Sequence, residues 1–374
     1  MDIPNINDKY KNICFYISDY GYGHASREIS IIRKILSKCS DTKIYIKTDK
    51  PLDFMKKSLP QDNVKFIRTT NDIGVVFKEN SVIVDKEKTK EKLINWSSLW
   101  GNYIENEKAF CRKHKIGLII SDITPQVFVV AKELNIPGIA ISNFTWHYIY
   151  DYLFEDMPIV NKIKEAYQLA SLALDLPFNE EMKLFKEKKE ISLVSRNVII
   201  NRNVLRKRYM ISENEILVYI GVGKSFNPSF VEKMTLPYKK GVKVLISAGS
   251  KLTLKAPISF KIPPGETEAQ NYLGMCDLIV SKTGYGTISE AIQAQVPMLL
   301  LQRNGFKEDE LFLEKVQELG IGGIISEKSF LSGDWINRIS EIKNMKINYR
   351  KIPERYIQDG AEEAVYILKH FIGE

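Results

Sequence analysis

Apolar positions along the chain follow two alternating patterns. Short runs rich in Val, Ile, Leu, Phe and Tyr predict buried strands. Longer stretches with apolar residues three or four apart predict amphipathic helices. Asn12 to Ser18 reads as a first strand, Asp19 to His24 as a turn, and Ala25 to Leu36 as a helix with Ile29, Ile32, Ile35 and Leu36 on one face. Lys43 to Lys47 and Val64 to Arg68 read as the next strands, and Glu87 to His114 as one long helical segment carrying Trp96 and Trp100. Gly117 to Ser121 and Gly138 to Ser142 read as strands on either side of a helix from Thr124 to Leu134. Pro125 opens that helix, where its missing N–H costs nothing. Strands that alternate with helices imply a parallel sheet covered on both faces.

From Tyr148 to about Lys189 the pattern turns helical and polar. Strand signals return at Ile216 to Ile220, Val242 to Ser247, Phe260 to Pro263, Leu278 to Ser281 and Met298 to Leu301. A second α/β half follows the first. The expected division is a first domain over 1–190, a second over 191–352, and a tail over 353–374 whose helix, Glu354 to Phe371, packs back on the first domain.

Composition narrows the class. The chain has 374 residues, 44% hydrophobic and 27% charged, enough for two cores. No apolar run reaches the roughly 20 residues of a membrane span, and the first residues lack the pattern of a signal peptide. Cys14, Cys39, Cys111 and Cys276 are widely spaced. They read as reduced, buried residues of a cytoplasmic protein, without a metal site. The net charge of +8 suits anionic partners. Its lysines are interleaved with acids, however, and no nucleic-acid-binding motif occurs.

Two glycine loops carry the candidate chemistry. Ser281-Lys282-Thr283-Gly284-Tyr285-Gly286-Thr287-Ile288-Ser289-Glu290 follows a buried strand and precedes a helix expected from Ile288. This arrangement offers free backbone N–H groups to a phosphate. Thr287 or Ser289 is the expected cap and Glu290 falls in the first turn, where it either favours the helix dipole or binds sugar hydroxyls. An ordinary strand-to-helix turn would look the same. The second loop, Asp19 to Arg27, places His24 at the C-terminal end of a parallel strand, where ligands of such sheets bind. A neutral imidazole there can take a proton from a hydroxyl, and Arg27 can pair with an anion. Asp122 shares that rim, where it either orients His24 or an acceptor hydroxyl, or caps the next helix. Asn143 and Trp146 either line an acceptor pocket or form a packed aromatic corner. His114, His147 and His370 carry less.

Gly21-Tyr22-Gly23-His24-Ala25-Ser26-Arg27 resembles the Gly-x-Gly-His-x-x-Arg loop of GT-B glycosyltransferases. It is closer to the glycosyltransferase-like N-terminal domain of L-arabinokinases than to MurG enzymes. The resemblance continues through Ser121-Asp122-Ile123-Thr124-Pro125, Ser142-Asn143-Phe144-Thr145-Trp146, the 281–290 loop and Phe306-Lys307-Glu308-Asp309-Glu310-Leu311-Phe312-Leu313. It implies two facing Rossmann-like domains with a nucleotide-sugar in the cleft between them, bound mainly by the second. By this resemblance His24 is the candidate base, with Gly21, Gly23, Arg27, Asn143 and Trp146 on the acceptor side. Gly221 and Gly223 lie in the loop near the diphosphate; from their chemistry Lys224 or Lys282 can add positive charge there, and Thr283 is a further donor-binding candidate. Gly284, Gly286 and Thr287 form the phosphate cradle, Glu290 meets the ribose, and Glu308, Asp309 and Glu310 touch the donor sugar. No Gly-Leu-Ser-Ser phosphate loop occurs, so sugar-kinase activity is not expected.

The expected reaction is inverting transfer of a hexosyl or N-acetylhexosaminyl unit from a nucleotide diphosphate, UDP first among them, to an acceptor hydroxyl. No Asp-x-Asp occurs, so neither a metal nor a further cofactor is expected. Alternatives on the same scaffold are a nucleotide-sugar 2-epimerase or hydrolase and a binding protein without turnover. A lipid-linked acceptor would bring the chain to a membrane face through Phe54-Met55 or Trp96 to Trp100, although core packing explains those residues equally well.

Overall fold

A computed structural model describes residues 12–39, 41–79, 81–221, 234–248 and 259–372. The chain divides into two compact units, one of 1–76, 85–194 and 358–374, the other of 77–84 and 195–357. Residues 77–84 leave the first half of the sequence to join the second unit. Ile83 bridges Asn304 there, and Val84 N–H donates to the Asn304 carbonyl at 3.1 Å.

The first unit runs β1 (Asn12–Ile17), α1 (Tyr22–Lys38), β2 (Ile44–Thr48), α2 (Leu52–Ser58), β3 (Val64–Arg68), α3 (Lys86–Ser98), α4 (Trp100–Lys113), β4 (Ile116–Asp122), α5 (Gln126–Leu134), β5 (Gly138–Ser142), α6 (Trp146–Leu153), α7 (Pro158–Tyr167), β6 (Leu172–Asp175) and β7 (Lys188–Glu190). Its sheet has the order β3-β2-β1-β4-β5-β6-β7, with every neighbouring pair parallel. Every residue of β4 and β5 is buried, as a sheet covered on both faces requires.

Two expectations fail here for identifiable reasons. The polar stretch after Tyr148 contains two strands as well as helices. β6 is only four residues long, and β7 is an exposed Lys-Lys-Glu edge. Short charged edges resist unwanted pairing, so β7 shows no hydrophobic signature, and the Leu-Ala-Leu of β6 is too short to stand out from the helical pattern before it. The segment 87–114 is two helices with a break at Leu99. Trp96 and Trp100 flank that break, packed edge to face at 5.0 Å. Both are buried, as is Met55, while half-buried Phe54 packs on Tyr22. Of the two explanations for these side chains, the structure shows core packing. Among the described residues, no helix is long and apolar enough to cross a bilayer.

The second unit runs α8 (Arg202–Arg208), β8 (Ile216–Gly221), β9 (Val242–Ile246), β10 (Ser259–Lys261), α9 (Ala269–Gly274), β11 (Leu278–Lys282), α10 (Tyr285–Gln293), β12 (Met298–Leu301), α11 (Glu308–Glu318), β13 (Gly322–Ile325), α12 (Glu327–Ser332) and α13 (Ile342–Asn348). Its parallel sheet has the order β10-β9-β8-β11-β12-β13. Strand β13 is not expected from the sequence, because its two glycines dilute the apolar run. The last helix, α14 (Gly360–Ile372), belongs to the first unit and packs on α1. It starts later than the expected Glu354, which instead opens a short 3₁₀ turn.

In each sheet the strand order reverses once, between β1 and β4 and between β8 and β11. Loops diverge from that point at the C-terminal strand ends and leave room for a ligand. Both glycine loops follow a strand at a reversal.

Candidate active site

Gly21 caps α1 with φ 102° and ψ −178°. That positive φ suits glycine and strains other residues. It lets the chain leave β1 and enter a helix that starts at Tyr22, earlier than the expected Ala25. Gly23 and His24 therefore sit in the first helical turn. Strand register places Ile17 beside Asp122, so the last residue of β4 meets the start of α1.

There the side chains close a buried network. His24 Nδ1 lies 2.8 Å from Asp122 Oδ1. Arg27 donates from Nε to Asp122 Oδ2 at 2.7 Å and from Nη2 to Oδ1 at 2.5 Å. Its Nη1 reaches Asn143 Oδ1 at 2.7 Å, and Nη2 reaches the Ser142 hydroxyl at 3.3 Å. Burial alone would raise the Asp122 carboxyl, but Arg27 and His24 outweigh it and hold the group at about 2. Asp122 is thus a carboxylate that accepts only, and the proton between it and His24 belongs to Nδ1. The close approach of Arg27 Nη2 to the same Nδ1, 3.0 Å, is then a contact between two donors. Nε2 keeps the imidazole lone pair.

Neighbouring loops are tied to this rim. Asp19 accepts from the Asp49 N–H at 2.6 Å, the Asn71 N–H at 2.7 Å and the Thr48 hydroxyl at 3.0 Å. Asp72 accepts from the Asp19 N–H at 3.1 Å and from Trp146 Nε1 at 3.0 Å. Burial, then the charge of Asp19, raises Asp72 to about 6. Glu180 accepts from the Thr145 N–H at 2.7 Å and hydroxyl at 2.5 Å, and burial raises it to about 8. Trp146 is fully buried against Tyr20, Phe144 and Tyr150, and Asn143 is buried under Arg27. Of the two alternatives for that segment, the structure shows the packed aromatic corner. His147 stands apart, 4.0 Å from Asp151.

The second glycine loop has a different construction. Gly221 ends β8, and its carbonyl accepts from the Ser281 hydroxyl at 2.5 Å. A Cβ at Gly221 would fall 2.4 Å from the Tyr219 ring. Gly223 and Lys224 lie outside the described residues. Thr283 is buried, with its hydroxyl given to the Leu301 carbonyl at 2.9 Å, so it ties the loop to β12. Gly284 caps α10 in extended backbone, without a side-chain cap. Neither Thr287 nor Ser289 is the cap. The helix begins at Tyr285, Thr287 is inside its first turn, and Ser289 donates back to the Gly286 carbonyl. Glu290 consequently falls in the second turn. Its Oε1 takes Nε and Nη2 of buried Arg196, both at 2.7 Å.

The acidic trio divides three ways. Asp309 is buried, and its carboxylate takes the Arg303 N–H at 2.6 Å and the Arg303 guanidinium. Glu308 is buried with Oε2 3.7 Å from Arg303 Nη2. Glu310 is exposed and paired with Lys307. The Arg303 guanidinium also stacks on Phe306 at 4.2 Å. Half-buried Lys282, at the end of β11, is lowered to about 7, first by burial and then by Arg303. Among the described residues, no cluster of His, Cys, Asp and Glu could hold a metal.

Sequence reasoning missed Asp19, Asp72, Glu180, Arg196 and Arg303. All are ordinary loop residues until the fold assembles them. Arg196 lies 94 positions from Glu290, and nothing in the local pattern marks it.

Comparison with known proteins places these loops in context. The sequence model of glycosyl transferase family 1 matches residues 11–333. An L-arabinokinase of Arabidopsis thaliana is 24% identical over 369 residues, covering 97% of this chain and 34% of its own length. The chain therefore spans about a third of that relative. In structure it is similar to CalG4, the calicheamicin glycosyltransferase, with a TM-score of 0.69 and 13% identity over 97% of this chain and 98% of that one. It is also similar to Phytolacca americana UGT2 complexed with UDP-2fluoro-glucose and pterostilbene, with a TM-score of 0.64 and 11% identity over 97% and 100% of the two chains. The fold is GT-B.

Proposed function

The chain belongs to glycosyl transferase family 1, and from that premise we propose that it transfers a sugar from a nucleotide diphosphate to an acceptor hydroxyl with inversion and without a metal. The observation that carries this reading is His24 Nδ1 set against the Asp122 carboxylate at 2.8 Å, beside a glycine-started helix. Asp122 fixes the tautomer that leaves Nε2 basic, and Arg27 fixes Asp122. An acceptor hydroxyl gives its proton to Nε2 as its oxygen attacks the anomeric carbon. The bond from that carbon to the diphosphate oxygen breaks on the opposite side, and the electron pair leaves with the nucleotide. A single displacement of this kind inverts the anomeric centre.

We assign the leaving diphosphate to the N-terminus of α10. The first-turn N–H groups of Tyr285, Gly286 and Thr287 point along the helix axis toward an anion, beside Lys282. Gly221, at the end of β8, is proposed to lie near the diphosphate. Glu290, paired with Arg196, is proposed to meet the ribose. Glu308 and Glu310 are proposed to meet the donor sugar, with Asp309 holding their helix to Arg303. UDP is the proposed carrier, because the fold neighbour UGT2 is complexed with UDP-2fluoro-glucose, and the sugar is a hexosyl or N-acetylhexosaminyl unit.

The experiment is a product assay with UDP-, GDP- and dTDP-sugars, a panel of hydroxyl acceptors and excess chelator. The expected result is nucleotide diphosphate released together with a glycoside of opposite anomeric configuration, at a rate the chelator leaves unchanged. Free sugar released without acceptor would replace transfer with hydrolysis or epimerisation.

A further inference from the structure

His24, Arg27 and Glu28 stand at the i, i+3 and i+4 positions of α1, a spacing that projects side chains to one face of a helix. The first two belong to the network around Asp122. Glu28 is fully buried, and neither carboxyl oxygen meets a hydrogen-bond donor. Asp122 from β4 and Arg27 from its own helix are the charged groups that act on it. Carboxylates of α14 and the turn before it, Glu362, Glu363 and Asp359, are engaged elsewhere, with Lys34, Lys38 and Ser192.

A buried carboxylate without donors is strongly disfavoured, and a buried carboxylic acid is not. Two ionised carboxylates that face one another have no hydrogen bond between them, because both only accept; one proton shared between them supplies it. Arg27 and His24 keep Asp122 ionised, so the proton resides on Glu28. Burial, with the Asp122 charge second, pushes the Glu28 carboxyl well above its ordinary range. Asp122 Oδ2, which accepts from Arg27 Nε, has a second lone pair for a further donor.

We propose that Glu28 is a positioning residue of the base: held as a neutral acid, it donates its O–H to Asp122 and thereby sets how strongly Asp122 supports a proton on His24. A donor to Asp122 spreads its charge and weakens its pull on the imidazolium. Without that donor, Asp122 would hold the imidazolium more tightly and His24 would stay protonated to higher pH. Glu28 touches neither reactant, and its role in transfer depends on His24 acting as the base.

The test is the NMR titration of His24 in the full chain without substrate, compared among wild type, Glu28→Gln and Glu28→Leu. Of the four histidines, His24 is identified by the signal lost in His24→Asn. Glutamine keeps a neutral donor, so E28Q should titrate with the wild type. Leucine removes the donor, so the E28L midpoint should rise by roughly half to one pH unit. A fall of the midpoint in E28Q would show a charged Glu28 in the wild type and overturn the proposal, as would an unmoved midpoint in E28L. If E28L does not fold, the E28Q comparison and the titration of the Glu28 carboxyl carbon decide alone, since a Glu28 that ionises near pH 5 is not a neutral acid. None of these readouts requires turnover. Failure of transfer with the expected shifts would count against the proposed function and leave the Glu28–Asp122–His24 coupling standing.

Discussion

Lys282 illustrates how burial turns an ordinary residue into a tuned one. A surface lysine stays charged well above neutral pH. At the end of β11, burial and Arg303 lower it to about 7. The ammonium that would attract a diphosphate is thus present below that pH and lost as pH rises through it. UDP-sugars carry no group that titrates nearby, so the pH dependence of their binding reports on the protein. Wild-type affinity for a UDP-sugar should fall roughly tenfold from pH 6 to pH 8.5, measured by isothermal titration. In Lys282→Met the affinity should be weaker and nearly independent of pH. A wild type with flat affinity across that range would remove Lys282 from the diphosphate site. His24 was legible in the sequence because glycines and a helix surround it. Its pairing with Asp122 was legible only as one of several roles for a residue on the same rim, because 98 positions separate the two and only the strand order joins them. Glu290 shows the converse. Its place in a recognisable loop suggested a ligand, whereas its bond to Arg196 depends on the folding of a distant segment.

Among elements, buried parallel strands were the most legible, since sheets covered on both faces demand continuous apolar runs. Val64–Arg68, Gly138–Ser142 and Met298–Leu301 appear with the expected limits. Helix starts were less so. Both glycine-started helices begin ahead of the expected Ala25 and Ile288, at Tyr22 and Tyr285, because the chain turns into the helix at Gly21 and Gly284 and the apolar period only becomes regular later. At the other end of the chain, packing of α14 depends on one glycine. A Cβ on Gly360 would lie 1.9 Å from the Ser192 carbonyl oxygen, and Gly360 N–H donates to the Leu193 carbonyl at 3.1 Å. Neither backbone group can swing aside. Gly360→Ala should therefore cost about 1–3 kcal/mol of stability in urea denaturation. A variant as stable as the wild type would mean that α14 is not seated against 192–193 in solution.

Across the whole molecule, two Rossmann-like units each reverse strand order at the strand that feeds a glycine loop. The first unit carries a histidine–aspartate pair held by a buried arginine. The second carries a helix start without a side-chain cap and a lysine lowered by burial to about 7. Under the proposed function the labour divides accordingly, one unit taking a proton and the other negative charge. The α/β alternation and both loops could be read from the chain. The transfer of residues 77–84 into the second unit could not, because a short excursion of that kind leaves no periodic trace. If the division holds, removing the base should abolish chemistry and spare the donor. The decisive measurement compares kcat for glycosyl transfer with the UDP-sugar Kd in wild type and His24→Ala. The account predicts a fall in kcat of roughly 10²- to 10⁴-fold with Kd changed by no more than about twofold. An unchanged kcat would contradict it.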